Sequence, residues 1–123
     1  MSFANRITVT VTTDASGDAT GYTPVVTGKL SQIRYVKSDF AAGVDFNITA
    51  EATGETLWAQ SDVNASASVA PRQATHSTAG VAALYAAGGS AVLDKIALAT
   101  DRIKIIVAKG GNAKSGTFHF VLE

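Results

Sequence analysis

The sequence predicts an all-β protein, an antiparallel β-sandwich of the jelly-roll type with seven to eight short strands. Two observations predict this fold class. Apolar and polar residues alternate with a period of two in several short segments, which is typical of strands with one buried face. Clusters of Gly, Asp, Asn and Ser separate these segments as turns. The 123 residues suit a single domain, which we place at residues 6–123 after an N-terminal arm of residues 1–5.

The first predicted strands lie in the N-terminal third of the chain. Residues 6–12 alternate aliphatic side chains with Thr, so their aliphatic side chains face the core. A turn follows at residues 14–21, which are rich in Asp, Ser and Gly. Pro24 then indicates an edge strand or an irregular segment, because proline cannot donate a sheet hydrogen bond. The next strand is predicted at residues 28–37.

The clearest local signal is a β-hairpin. Residues 44–51 alternate strictly and place Phe46 and Ile48 on the buried side. The pair Thr53-Gly54 is typical of a tight turn, and residues 55–60 return as the second strand.

The middle of the chain carries weaker patterns. Residues 61–77 are small and polar without a sustained period, so we predict a structureless loop, which often serves binding. Residues 79–87 are compatible with a short helix or a strand rich in small residues, and residues 91–99 with either type. For residues 91–99 we favour a strand, because the preceding segment needs a partner.

The C-terminal part returns to a clear alternation. Residues 101–109 predict a strand with Ile103, Ile105 and Val107 on one face. Residues 110–116 form a Gly-rich turn, and residues 117–122 come back as the final strand.

Composition excludes several classes of function. Lys+Arg and Asp+Glu each number 10, so the formal net charge is +0 and predicts no general attraction to nucleic acid or an anionic membrane. The absence of cysteine excludes disulfides, thiolate metal sites and cysteine catalysis. The longest apolar run, residues 81–87, is too short to span a bilayer, and the first residues lack the apolar core of a signal peptide. We expect no cofactor.

Candidate chemical groups are few. His119 alternates with two Phe residues and is expected to face solvent, while His76 lies in a Ser/Thr-rich loop without a nucleophile-elbow pattern. Asp14 and Asp18 lack the spacing of a calcium loop, so a solvated turn is the better interpretation. The Gly-rich turns lack the Lys and the following helix of a phosphate loop. We therefore predict that the protein is not an enzyme.

Two aromatic residues offer an alternative reading. Trp58 and Tyr35 are each capable of stacking on a sugar, which would suit a carbohydrate-binding module. Core or interface packing is the more frequent role of an aromatic residue in a chain with 7% aromatic residues, and we favour it.

Nearly the whole chain, residues 6–122, resembles a known family. The string GVDFNITAEATGETLWAQSDVNAS, followed by PRQATHSTAG, ALYAAGG and DKIALATDRIKIIVAKGGNAKSGTFHF, is similar to short virion structural proteins of tailed bacteriophages. With this size, the resemblance implies a capsid decoration (cement) protein, made in the bacterial host cytoplasm. Such proteins bind the outer surface of the capsid and hold neighbouring major capsid subunits together. A tail or head–tail connector component is the first alternative, and a carbohydrate-binding module at the virion surface is the second.

The resemblance also implies which partners the chain would bind. The partners would be the major capsid protein and further copies of the chain, as dimers or trimers, without nucleic acid or membrane. An arm that orders on binding and a long adhesive loop are the candidate contacts. The predicted interface residues of the arm and the loop are Phe3, Asn5, Val63, Val69, Pro71 and Arg72.

Overall fold

Ten β-strands in two antiparallel sheets form a computed structural model that describes residues 4–123. No helix occurs among those residues. The most regular strands alternate buried with more exposed side chains, which buries one side of each. The strands are β1 (Asn5–Thr12), β2 (Ala19–Tyr22), β3 (Val26–Val36), β4 (Val44–Ala50), β5 (Thr56–Val63), β6 (Ala67–Val69), β7 (Arg72–Ala74), β8 (Leu93–Asp101), β9 (Ile103–Ala108) and β10 (Ser115–Leu122).

The strand order is that of a jelly roll. The first sheet has the order β1-β10-β3-β8-β7, with β6 also paired to β3, and the second has the order β2-β9-β4-β5. Without the two three-residue strands β6 and β7, each sheet has four strands. The chain passes repeatedly from one sheet to the other, as in a double Greek key. The predicted β-sandwich is confirmed, with ten strands instead of seven to eight.

The inner faces of the two sheets form one core. The predicted inward residues of β9 (Ile103, Ile105 and Val107) are at most 1% exposed. Aromatic rings fill the centre, where Tyr35 lies 4.6 Å from Phe46 between ring centroids. The other rings of this cluster are Phe40, Trp58 and Phe118.

Tyr35 brings a hydroxyl group into this cluster. Its side chain is fully buried, and its hydroxyl is the single buried side-chain group without a hydrogen-bond partner among residues 4–123. Burial raises the pKa of the Tyr35 phenol, so the ring remains neutral.

The predicted structureless loop at residues 61–77 is wrong over residues 61–63, 67–69 and 72–74. β5 continues to Val63, β6 pairs with β3 through Ala67 and Val69, and β7 pairs with β8. Strands of three residues are too short to show a period of two, which explains why the sequence pattern missed them.

The predicted return of residues 117–122 against residues 101–109 is also corrected. β9 pairs with β2 and β4 in the second sheet, whereas β10 pairs with β1 and β3 in the first. The turn between them therefore connects two sheets and does not close a hairpin. Alternation marks a strand and its buried face but carries no information about the strand's partner. The predicted hairpin of β4 and β5 is confirmed.

Candidate interaction surface

The region between β7 and β8 is poor in ionisable side chains, with one histidine, His76, and one tyrosine, Tyr85. Residues 73–93, which we call the charge-free segment, are 21 residues without Asp, Glu, Lys or Arg, bounded by Arg72 and Asp94. An uninterrupted uncharged stretch of this length is unusual on a protein surface, where about a quarter of residues are charged.

Large apolar side chains of this segment face solvent. Val81 is 65% exposed, Leu84 45%, Tyr85 77% and Leu93 55%. These are four of the six large hydrophobic residues that are exposed among residues 4–123. Single exposed hydrophobic residues are ordinary, but a cluster of them within one segment indicates a contact surface.

Backbone hydrogen bonds hold the charge-free segment in a defined shape. The N–H of Thr75 donates to the carbonyl of Val92 (2.8 Å), that of Val92 to Ala83 (3.0 Å), and that of Ala83 to Thr75 (2.8 Å). Gly80 and Gly88 have φ angles of 79° and 70°, which allow the chain to reverse twice within the segment. Three short extended pieces thus contact each other beside the first sheet.

This arrangement corrects the expectation for residues 79–87. They form neither a helix nor a regular strand, but only isolated bridges, of which Leu84 with Ala91 is one. The closely spaced glycines interrupt any regular element. The predicted strand at residues 91–99 is present as β8.

A second apolar feature lies where β1 begins and β10 ends. An open cleft of about 670 Å³ is located there, and Val25, 62% exposed, lies on its wall. Pro24 precedes Val25 in this wall and lies between β2 and β3, outside a regular strand, in agreement with the prediction of an irregular segment. The lining residues are Ala4, Asn5, Ile7, Pro24, Val25, Val26, Thr27, Leu122 and Glu123.

One acidic group borders the cleft and is already engaged by neighbours. Lys95 donates to the carboxylate of Glu123 at 2.7 Å, and the hydroxyl of Ser31 donates to the same oxygen at 2.7 Å. These hydrogen bonds, that of Lys95 first, lower the pKa of the Glu123 carboxyl. The charge is therefore largely compensated within the chain.

The structure describes only one of the two predicted interface residues of the arm. Phe3 lies outside the described residues. Asn5 is the first residue of β1, pairs with Leu122, and lines the cleft with an exposed side chain.

The predicted interface residues of the loop belong mainly to the sheets. Val63 is 7% exposed and is part of the core, and Val69 packs against the core from β6. Pro71 is partly buried. Arg72 is exposed, and its guanidinium donates to the carbonyls of Ser31 (3.1 Å) and Pro71 (2.8 Å).

Sequence reasoning missed the exposed apolar residues of the charge-free segment. It did not identify Tyr85, Val81 and Leu84 as surface residues. The lack of charge over residues 73–93, together with these apolar side chains, was the signal that could have identified an exposed apolar surface.

The candidate chemical groups lie in separate places and do not form a common site. His119 lies on the outer face of the first sheet, 3.2 Å from the hydroxyl of Thr8, while His76 belongs to the charge-free segment. The carboxylate of Asp14 accepts the N–H groups of Ser16 (2.9 Å) and Asp18 (3.1 Å), as expected of a turn. Within residues 4–123, no group of three or more His, Cys, Asp or Glu residues is arranged to hold a metal ion.

The two aromatic residues considered for sugar stacking are core residues. Tyr35 is 0% exposed and Trp58 is 8% exposed. Neither ring presents a face to solvent, so the prediction that they pack in the core is confirmed.

Comparisons with known proteins give no family for the chain. Neither the models of known protein families nor the curated proteins include a match to it. Among residues 4–123, no helix is sufficiently long and apolar to cross a membrane.

Proposed function

We propose that this chain is a structural protein of a tailed-bacteriophage virion that decorates the outer capsid surface and holds neighbouring major capsid subunits together. The resemblance over residues 6–122 supports this assignment. The structural observation that carries it is the presence of two separate exposed apolar sites on one β-sandwich, the cleft beside Val25 and the charge-free segment.

A protein that clamps two neighbours needs two contact sites held apart by a stiff body. The cleft lies where β1 begins and β10 ends, and its Val26 pairs with Asp101, the last residue of β8, whereas the charge-free segment joins β8 at its first residue, Leu93. At about 3.3 Å per residue, the stretch of β8 from Leu93 to Asp101 spans about 26 Å. Contacts at the cleft and at the charge-free segment would therefore engage two different surfaces.

Weak contacts suffice for this role on a repeating shell. Once one site of the protein is bound, the second site meets its partner at a high effective concentration. The exposed apolar side chains of both sites bind through burial of surface, which requires no catalytic group.

The proposal is tested by locating the protein in purified particles. Quantitative mass spectrometry of emptied heads separated from tails should find on the order of hundreds of copies in the head fraction, as symmetric decoration requires. About a dozen copies with the tails would support a connector and contradict the proposal. Absence of the protein from particles would contradict any virion role.

Two variants connect this measurement to the structure. Val25→Ser and Tyr85→Ser each remove an exposed apolar side chain from one of the two sites and should each lower the copy number per head. Ala97→Ser on β8 changes an exposed residue outside both sites and is the control. Equal copy numbers for all three variants would contradict the two-site clamp.

A further inference from the structure

We propose that the charge-free segment is a self-association surface, at which one copy of this chain contacts the same segment of a second copy. The inference is tested on the isolated protein and does not depend on the virion assignment. Within a virion, it makes a neighbouring copy of this chain, and not a capsid subunit, the partner of this one of the two sites. It follows from the charge, the shape and the area of the segment.

The absence of charged residues from the segment favours a partner surface that is also uncharged. An ordinary protein surface has about a quarter of its residues charged, and burying those charges against residues 73–93 would leave them without counter-charges. A second charge-free segment brings no such groups. Because the chain has a formal net charge of +0, two copies also approach without long-range repulsion.

The shape of the segment is set before binding. The mutual hydrogen bonds of Thr75, Ala83 and Val92 fix its three extended pieces, so association orders little additional backbone. Tyr85 is the most exposed of its large side chains, and tyrosine is among the residues that dominate binding energy at interfaces. Alanine and glycine residues around it permit close approach of a second backbone.

The area of the segment sets the strength of the contact. Sixteen of its 21 residues are exposed. A residue in a standard interface buries roughly 30–40 Å², so two segments would together bury about 1,100 Å². This lies at the lower end for specific interfaces, so we expect a weak dimer that depends on concentration. A two-fold arrangement fits, because the same surface then serves both copies.

Sedimentation velocity of the purified chain tests the inference, with samples from about 10 μM to about 1 mM, the range of weak dissociation constants. The sedimentation coefficient of the wild type should rise from that of a monomer towards that of a dimer. Tyr85→Lys should weaken association at least tenfold, because it places a charge in the contact on both copies.

Ala59→Lys on β5 is the matched control, since it adds the same charge at an exposed residue of the second sheet, outside the segment and the cleft. Thermal unfolding of both variants checks that each is folded. A wild type that is monomeric throughout, or a Tyr85→Lys variant that dimerises as the wild type does, would overturn the inference. If Tyr85 affects incorporation into heads while the purified chain is monomeric, the segment contacts the shell and the inference is wrong.

Discussion

Gly116 on β10 is the glycine with the least space for a side chain. A Cβ atom added there would overlap Cε2 of Phe40 and lie 2.5 Å from Cδ2 and 2.9 Å from Cζ of the same ring. Its φ is outside the left-handed region, so alanine fits the backbone and the conflict is purely one of packing. We therefore expect Gly116→Ala to destabilise the fold through the ring of Phe40.

The ring of Phe40 cannot move away at low cost. It is 1% exposed and stacks on Tyr35 with centroids 6.1 Å apart. Overpacking of such a site costs about 1–3 kcal/mol. Alanine otherwise gains about 0.5–1 kcal/mol over glycine in a strand, so Gly116→Ala should lower the free energy of unfolding by about 1–2 kcal/mol.

Urea unfolding followed by fluorescence measures this change, because Trp58 is the only tryptophan and is buried. The control is the same substitution in a Phe40→Ala background, where the ring atoms are missing. There Gly116→Ala should be neutral or stabilising, although Phe40→Ala itself costs about 3–5 kcal/mol. An equal loss of stability in both backgrounds would refute the packing argument.

Two further predictions concern polar groups. Tyr35→Phe should leave the free energy of unfolding unchanged or raise it by up to about 1 kcal/mol, because the buried hydroxyl has no partner to lose. A clear decrease in urea unfolding experiments would show that the hydroxyl is paired. Glu123 has a lowered pKa in the folded state, so it stabilises the fold above its usual pKa, and this contribution disappears as the pH falls through the folded pKa. Glu123→Gln should therefore have a lower melting temperature than the wild type at pH 7, and the difference should shrink towards about pH 3. A difference that does not change with pH would exclude the pair with Lys95 as its source.

The sequence predicted those strands whose buried and exposed residues alternate. In part of β9 and β10, inward aliphatic or aromatic residues alternate with Lys104, Thr117 and His119, so both the strand and its inner face were evident. The same pattern does not identify the neighbouring strand, which explains why the sheet change between β9 and β10 was missed. β6 and β7 are too short to have a measurable period.

The candidate surface was harder to predict for a related reason. In residues 79–87, alanine and other apolar residues follow one another without polar residues that would mark an outer face. Such a run is equally compatible with a core element and an exposed segment. The fold shows that Tyr85 is exposed and is not covered by either sheet. Residues 75–92 fold back on themselves beside β8.

The position of β10 between β1 and β3 also determines when the protein can fold. β1 is paired only with β10 in the first sheet, in a register from Asn5 with Leu122 to Thr12 with Ser115. These partners are separated by most of the chain, and contacts of such high sequence separation slow folding. During synthesis on the ribosome, β1 has no partner strand until β10 has been synthesised. Completion of the first sheet is therefore a late event in biosynthesis, and until then β1 is an unpaired strand exposed to other nascent chains.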